Sequence, residues 1–434
     1  MLAAVLFLPV GADAVSARRA YAVDAVSGRV LYEKNPTERS LIASTTKIMT
    51  ALIVCEQCNV LDRMRIPKEA VGIEGSSMYL KEGEVLTLQE LLYGLMLSSG
   101  NDAAVALAIY CGGTVEGFAE LMNDKAHNLG LTGTHFENPN GLDSPGHYST
   151  AKDLGTLAAY AMENPIFYKT VSAKNVKVGE RYLTNHNKLL WRVAGADGVK
   201  TGFTKAAGRI LVSSATRDGR RIIVVTIDDP SDWSDHAALM EEGFSRYAIQ
   251  RVVNQGDRVG TVEVVGGEKR RVEVLAAEDF DYSVAPEEHP CLALPGPGFI
   301  YAPAVEGADA GIVYVLIEGK AVGKVPVVYG ATIEQTQPEE KSFWKKLFHR
   351  GAADMPLPDD HAGRKDHDRT FAENTLRPGH GLPAEGRGAD PGGAGDRQRR
   401  PRFSGGLRRP GNRRYPGGGT APGCPGEERV HLTQ

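Results

Sequence analysis

The sequence predicts an α+β domain, with helices gathered around an antiparallel sheet, followed by a small all-β domain. Three observations predict it. Between Ser44 and Met162, apolar residues recur at helical spacing in successive blocks. Ile210–Ala215 and Arg221–Ile227 are runs rich in β-branched residues, joined through Asp218-Gly219 as a hairpin. Beyond about Val253 the helical period stops, leaving short strand-like runs between glycines and prolines. With 434 residues, 42% hydrophobic and 24% charged, the chain has the composition of an ordinary globular protein with room for two or three domains. A net charge of −4 gives no electrostatic reason to expect nucleic acid as a partner.

Taken in order, Tyr21–Val26 and Arg29–Glu33 read as a hairpin turning at Ser27-Gly28. Ser44 opens a helix running to about Cys58. Thr87 and Glu90 have capping-box spacing, and Leu88, Leu91, Leu92, Leu95 and Met96 form one buried stripe behind them. That helix stops at Ser98-Ser99-Gly100-Asn101, and an alanine-rich helix follows from Asp102 to about Tyr110. Glu116–Leu129 is a further helix, Asn138–Asp143 is turn-rich, and Thr150 with Asp153 starts a helix reaching about Met162. Gly198–Thr204 reads as a strand beside the hairpin, and a last helix from about Ser231 to Ala248 closes the domain. Val259–Val265, Arg271–Leu275, Ile312–Glu318 and Lys320–Val328 are the strand-like runs of the second domain.

The ends differ in kind. Residues 2–10 are an apolar run too short to span a bilayer, followed by small residues at Ala12-Asp13-Ala14 and Val15-Ser16-Ala17. We read residues 1–17 as the remnant of a secretory signal, with a buried first strand as the competing reading, and expect export. In Glu339–Arg350, Phe343, Trp344, Leu347 and Phe348 share one helical face, while Lys341, Lys345, Lys346 and Arg350 cover the rest. Residues 337–350 are therefore expected to anchor the chain to a membrane surface, a docking helix being the competing reading. Residues 351–434 hold 17 glycines and 10 prolines without apolar periodicity, which predicts a disordered tail. Its thirteen arginines against one lysine also fit out-of-frame translation of GC-rich DNA. The boundaries expected are thus 18–250 for the first domain and 251–336 for the second. Five cysteines, an odd number, suggest no disulfide framework, and Cys55 and Cys58 read as small apolar side chains on a helix.

Ser44 and Lys47, three apart at a helix start, place a hydroxyl and an amine on one face. Alone, this pattern is commonly a helix start with an exposed lysine. Two further patterns follow it in the chain: Ser99-Gly100-Asn101 at a helix junction and Lys200-Thr201-Gly202 on a strand. Together they match the serine–lysine, serine–x–asparagine and lysine–threonine–glycine trio of active-site-serine enzymes that act on D-alanyl peptides and β-lactams. Residues 43–50, 75–84, 91–104, 138–143 and 197–204 resemble the serine D-alanyl-D-alanine carboxypeptidases, the low-molecular-weight penicillin-binding proteins, with the sporulation-type branch nearest. The resemblance covers roughly residues 18–335 and implies a penicillin-binding or serine β-lactamase-like transpeptidase fold.

That resemblance also implies roles. Ser44 attacks the carbonyl of the penultimate D-alanine, and Lys47, kept neutral by burial and by Lys200, accepts its proton. Ser99 and Asn101 extend the proton relay, while Lys200 and Thr201 meet the terminal carboxylate. Gly202 leaves room along the strand, and the N–H groups of Ser44 and Phe203 form an oxyanion hole. No metal or organic cofactor is required. The implied partners are the peptidoglycan stem peptide and β-lactam antibiotics as covalent inhibitors, acting at the outer face of the cytoplasmic membrane.

One departure stands out. Some relatives carry a carboxylate-gripping arginine in the loop before the last domain helix, and Asp228–His236 has none. Carboxylate binding then rests on Lys200, Thr201 and either Thr204 or an arginine from elsewhere. His236 in that loop reads as structural rather than as a substrate contact. A β-lactamase would need a glutamate in an E-x-x-L-N run between Asn101 and Lys200, which is absent, and Glu163-Asn164-Pro165 does not supply it. Two further rivals are a D,D-endopeptidase acting on cross-links, which uses the same site, and a non-catalytic peptidoglycan-binding protein, against which the completeness of all three motifs argues.

Overall fold

The computed structural model describes residues 15–337. The apolar run at 2–10, the amphipathic segment 339–350 and the tail 351–434 lie outside the described residues. Val15 and Ala17 are buried, and the Ser16 hydroxyl lies 2.6 and 2.8 Å from carboxylate oxygens of Asp229 and Asp235. The chain is thus packed into the first domain from Val15, slightly ahead of the boundary expected after residue 17.

Strands β1 (Arg19–Asp24) and β2 (Val30–Lys34) form the expected hairpin. A 3-10 turn, Ala43–Thr46, leads into α1 (Lys47–Gln57). Short strands β3 (Arg63–Arg65) and β4 (Val85–Thr87) pair ahead of α2 (Leu88–Leu97), whose capping box of Thr87 and Glu90 is formed. Next come α3 (Asn101–Gly112), α4 (Val115–Asn128), α5 (Ala151–Ala161) and α6 (Pro165–Ser172). The ribbon β5 (Asn175–Val178) and β6 (Arg181–Thr184) and the single turn α7 (Leu189–Arg192) precede β7 (Ala196–Thr204), β8 (Gly208–Arg217), β9 (Arg220–Ile227) and α8 (Asp232–Arg246).

These strands make an antiparallel sheet ordered β2-β1-β9-β8-β7, with β7 on its edge. Alternation along β9 sends Ile223, Val225 and Ile227 into the core shared with α1, while Ile222 and Val224 pack with Leu239 and Met240 of α8. Covering both faces explains why β9 reads as an unbroken apolar run. Helix α1 is buried on every side from Lys47 to Cys55, so it is the central post of the helical layer. Among the described residues, no single helix is long and apolar enough to cross a membrane.

The second domain starts with β10 (Ala248–Val253), continues through β11 (Arg258–Val265), β12 (Arg271–Ala276), β13 (Phe280–Val284), β14 (Cys291–Ala293) and β15 (Phe299–Tyr301), and ends with β16 (Asp309–Ile317) and β17 (Lys320–Tyr329). Its main sheet is ordered β14-β16-β17-β12-β11-β15, and β10 pairs with β13. The β10–β13 ribbon is fastened to the β1–β2 turn by buried polar groups. Asp24 accepts from Ser283 at 2.7 Å and from Arg220 at 2.5 Å, and Arg29 pairs with Glu288 at 2.5 Å.

The cysteine expectation needs correcting. Cys58, at the C-cap of α1, is bonded to Cys111 in the last turn of α3, and only Cys55 of the pair behaves as a buried apolar side chain. The partners are 53 residues apart and meet only because α1 packs on α3, which local spacing does not disclose. Replacing both by alanine should lower stability by about 2–4 kcal/mol. A melting temperature lowered to the same extent by reductant would confirm it, and an unchanged one would rule the bridge out as a stabiliser.

Candidate active site

The site is built where the starts of two buried helices meet the edge strand. Ser44 lies on the 3-10 turn rather than on α1 itself, which begins at Lys47. Side chains three apart are eclipsed in a 3-10 turn, so the Ser44–Lys47 relation survives the change of helix type. Ala43, just before the serine, has φ 44°, a left-handed conformation that a non-glycine residue adopts only under constraint. Gly141 supplies part of that constraint. With φ +85°, it lies so close to Ala43 that an added Cβ would sit 1.9 Å from the Ala43 carbonyl oxygen.

Lys47 is fully buried, and its Nζ has three neighbours. Ser44 Oγ is 2.9 Å away, Asn101 Oδ1 2.7 Å and the Asn140 carbonyl 2.5 Å. The Asn101 amide is oriented by its own bonds: its Nδ2 donates to the Glu74 carbonyl at 2.5 Å, which turns Oδ1 toward Lys47. Burial, then the nearby Lys200, hold the Lys47 amine well below the ordinary lysine range, with Asp102 opposing them. A neutral amine has two N–H groups and one lone pair. Asn101 and Asn140 take the two N–H groups, and the lone pair is left facing the Ser44 hydroxyl.

Lys200, on β7, is buried too, and burial brings its amine down to about 7. Its Nζ donates to the Thr201 carbonyl at 2.8 Å. Gly202 is the contact point between β7 and the serine turn: a Cβ there would lie 3.3 Å from Ser44 N and from the Ile42 carbonyl. Its small size therefore serves the approach of the serine turn to the edge strand.

The other expected residues fall out unevenly. Ser99 sits at the α2–α3 junction, nearly buried, with φ 59°, and its hydroxyl is not one of the three Lys47 contacts. Phe203 is 64% exposed at the rim. The Thr204 hydroxyl is engaged in a loop, donating to Asp143 at 3.1 Å and accepting from the Ala207 N–H at 3.0 Å. His236, on α8, is buried against the sheet beside Ser213 and Thr226, and burial takes it down to about 3. Asn164 caps α6 and Glu163 pairs with Arg221, so that segment offers no base.

Sequence reasoning assigned no role to three residues that build the site. Asn140 contributes a main-chain carbonyl. Asp102 accepts from Ser77, Met78 and Leu80 at 2.6–3.1 Å, pinning the 77–80 loop beside Asn101. His147 accepts the Glu137 N–H on Nδ1 at 3.1 Å, so the neutral ring carries its proton on Nε2 and donates to Thr46 Oγ1 at 2.7 Å. Burial pushes His147 down to about 4, which keeps that tautomer in place at neutral pH.

A hydroxyl held against a buried amine of lowered pKa, with a second buried amine nearby and an open strand edge beside them, is an arrangement that can support acyl transfer. Residues 8–231 match the model of the D-alanyl-D-alanine carboxypeptidases, and residues 247–335 match that of the C-terminal domain of penicillin-binding protein 5. The D-alanyl-D-alanine carboxypeptidase DacF of Bacillus subtilis is 34% identical over 275 residues, covering 60% of this chain and 71% of that protein. DacC of Escherichia coli is 32% identical over 346 residues, covering 75% and 86%. The crystal structure of penicillin-binding protein 5 from Haemophilus influenzae is similar with a TM-score of 0.65 at 29% identity, covering 74% of this chain and 98% of that one. The Streptomyces K15 DD-transpeptidase is similar with a TM-score of 0.52 at 36% identity, covering 53% and 98%.

Proposed function

The chain belongs to the D-alanyl-D-alanine carboxypeptidase family, and from that premise we propose how its residues divide the work of removing a terminal D-alanine from a peptidoglycan stem peptide. The enzyme is a serine hydrolase of the low-molecular-weight penicillin-binding type. Ser44 is the nucleophile. Its Oγ bonds to the carbonyl carbon of the penultimate D-alanine while its proton passes to Lys47 Nζ. The tetrahedral intermediate then collapses, the C–N bond breaks, and the proton goes to the departing D-alanine amine. Water attacks the resulting ester, returns a proton to Ser44 and frees the shortened peptide.

The supporting observation is the set of Lys47 contacts: with the amine neutral, Asn101 and the Asn140 carbonyl take both N–H groups and leave the lone pair for the Ser44 hydroxyl. Asn101 holds that amine and orients it. Lys200 keeps Lys47 from holding a proton and, with Thr201, meets the substrate carboxylate. The N–H groups of Ser44 and Phe203 would receive the oxyanion, worth roughly 2.7–4 kcal/mol per donor. Ser99 serves the return of the proton to the leaving amine.

We place the enzyme outside the cytoplasmic membrane, attached through residues 339–350, with the second domain beginning at β10 and a tail from 351. The Cys58–Cys111 bond supports an oxidising compartment. The purified protein should be labelled by fluorescent penicillin at one equivalent and should release D-alanine from a pentapeptide ending in D-alanyl-D-alanine. Labelling without release would favour a non-catalytic peptidoglycan-binding protein, and fast multiple turnover of penicillin would favour a β-lactamase.

A further inference from the structure

The substrate of the proposed reaction ends in a carboxylate, and the loop 228–236 offers it no arginine. We propose that Arg209, on the strand next to the site, is the specificity-determining cation that grips this carboxylate, with Asp232 as its positioning residue. This rests on the carboxypeptidase reading above.

The register of the sheet carries the argument. Arg209 stands directly opposite Phe203, and Leu211 opposite Thr201. Residues opposed in an antiparallel pair share a face, and so do residues two apart along a strand. Thr201, Phe203 and Arg209 therefore lie on one face of the β7–β8 pair. Arg209 is the diagonal neighbour of Thr201, within reach of a side chain of its length. Because β7 is the edge strand, nothing else in the sheet covers its outer side, where a peptide would lie alongside it. The serine turn meets Gly202 on the opposite face, so the guanidinium would pass beside the Thr201 hydroxyl and around the β7 edge to meet the substrate.

The side chain is also held in place. Its Nε and Nη2 bond to both Asp232 oxygens at 2.7–3.2 Å, and Trp233 stacks near it with the ring centre 5.9 Å from Cζ. Asp232 is only 5% exposed at its side chain, whereas Arg209 remains 45% exposed. Among the described residues, Nη1 has no hydrogen-bond acceptor in the protein, so a donor is left for a ligand. Asp232 and Trp233 open α8, within the stretch 228–236 in which the expected arginine is missing. In this chain the helix start supplies the holder, and the neighbouring strand supplies the cation.

The two buried lysines at the site are poorer candidates. Lys47 is enclosed by Ser44, Asn101 and Asn140, and Lys200 is buried with its Nζ turned to the Thr201 carbonyl. With its proton held only to about pH 7, Lys200 alone would grip a carboxylate less firmly as the pH rises, whereas a guanidinium keeps its charge throughout.

The test compares Ser44 acylation by benzylpenicillin with acylation by its methyl ester, which lacks the carboxylate. Arg209→Gln should slow the first by about 10- to 150-fold, the range for a hydrogen bond to a charged group, and leave the second within about threefold. Arg209→Lys should recover part of the loss. Equal losses for acid and ester, or no loss for either, would overturn the proposal. Should Arg209→Gln fail to fold because Asp232 is left buried without its partner, Arg209→Gln with Asp232→Asn makes the same comparison. If neither compound acylates the unaltered protein, the carboxypeptidase reading itself has failed, which is a distinct result.

Discussion

Ser44→Ala should abolish covalent labelling by penicillin and lower D-alanine release by a factor on the order of 10⁶, the loss seen when a serine nucleophile is deleted from an acylating site. The fold should tolerate the change. Ser44 contributes one contact to Lys47, and the two that hold the amine, from Asn101 and Asn140, remain. Melting temperature should therefore stay near that of the unaltered protein, and penicillin at saturating concentration should no longer raise it. Mass spectrometry of the protein after incubation with penicillin is the direct measurement. A surviving adduct would place the nucleophile elsewhere, and the acyl-transfer scheme would have to be rebuilt around that residue.

How much of this was legible in the sequence depends on how local each feature is. Ser44 and Lys47 share one turn, so their meeting follows from spacing whether that turn is α or 3-10. The capping box at Thr87 and the hairpin at Asp218-Gly219 are equally local, and both are formed. Asn140 acts through its main-chain carbonyl, which any residue type would supply, so the sequence carries no mark of it. His147 needs Glu137 on one side and Thr46, 101 residues away, on the other before it has a role. Cys58–Cys111 and Arg209–Asp232 likewise depend on which helices and strands become neighbours. In the second domain the long strands were readable. The exposed β10, the five-residue β13 and the three-residue β14 and β15 were not, because none shows enough apolar alternation to stand out from the surrounding loops.

Lys47→Met should lower the acylation rate by about 10²–10⁴, the usual contribution of a positioned general base, while leaving the protein folded. Methionine fills the same buried channel without an amine to desolvate, and what it forfeits is the pair of hydrogen bonds to Asn101 and Asn140. The unaltered enzyme carries a second test of the same assignment in its pH profile. Lys47 works as the neutral amine, so the rate falls on the acid side as Lys47 takes up a proton. Because burial and Lys200 depress its pKa, that limb lies well below the ordinary lysine range. Lys200 works as the cation, so an alkaline limb should appear near pH 7, where it loses its proton. Lys200→Arg separates the two. A charge that persists at high pH should remove the alkaline limb, while the acid limb, which lies where Lys200 is already protonated, should stay in place. An alkaline limb that stays where it was would mean that Lys200 is not the group being titrated, and the electrostatic link between the two lysines would fall with it.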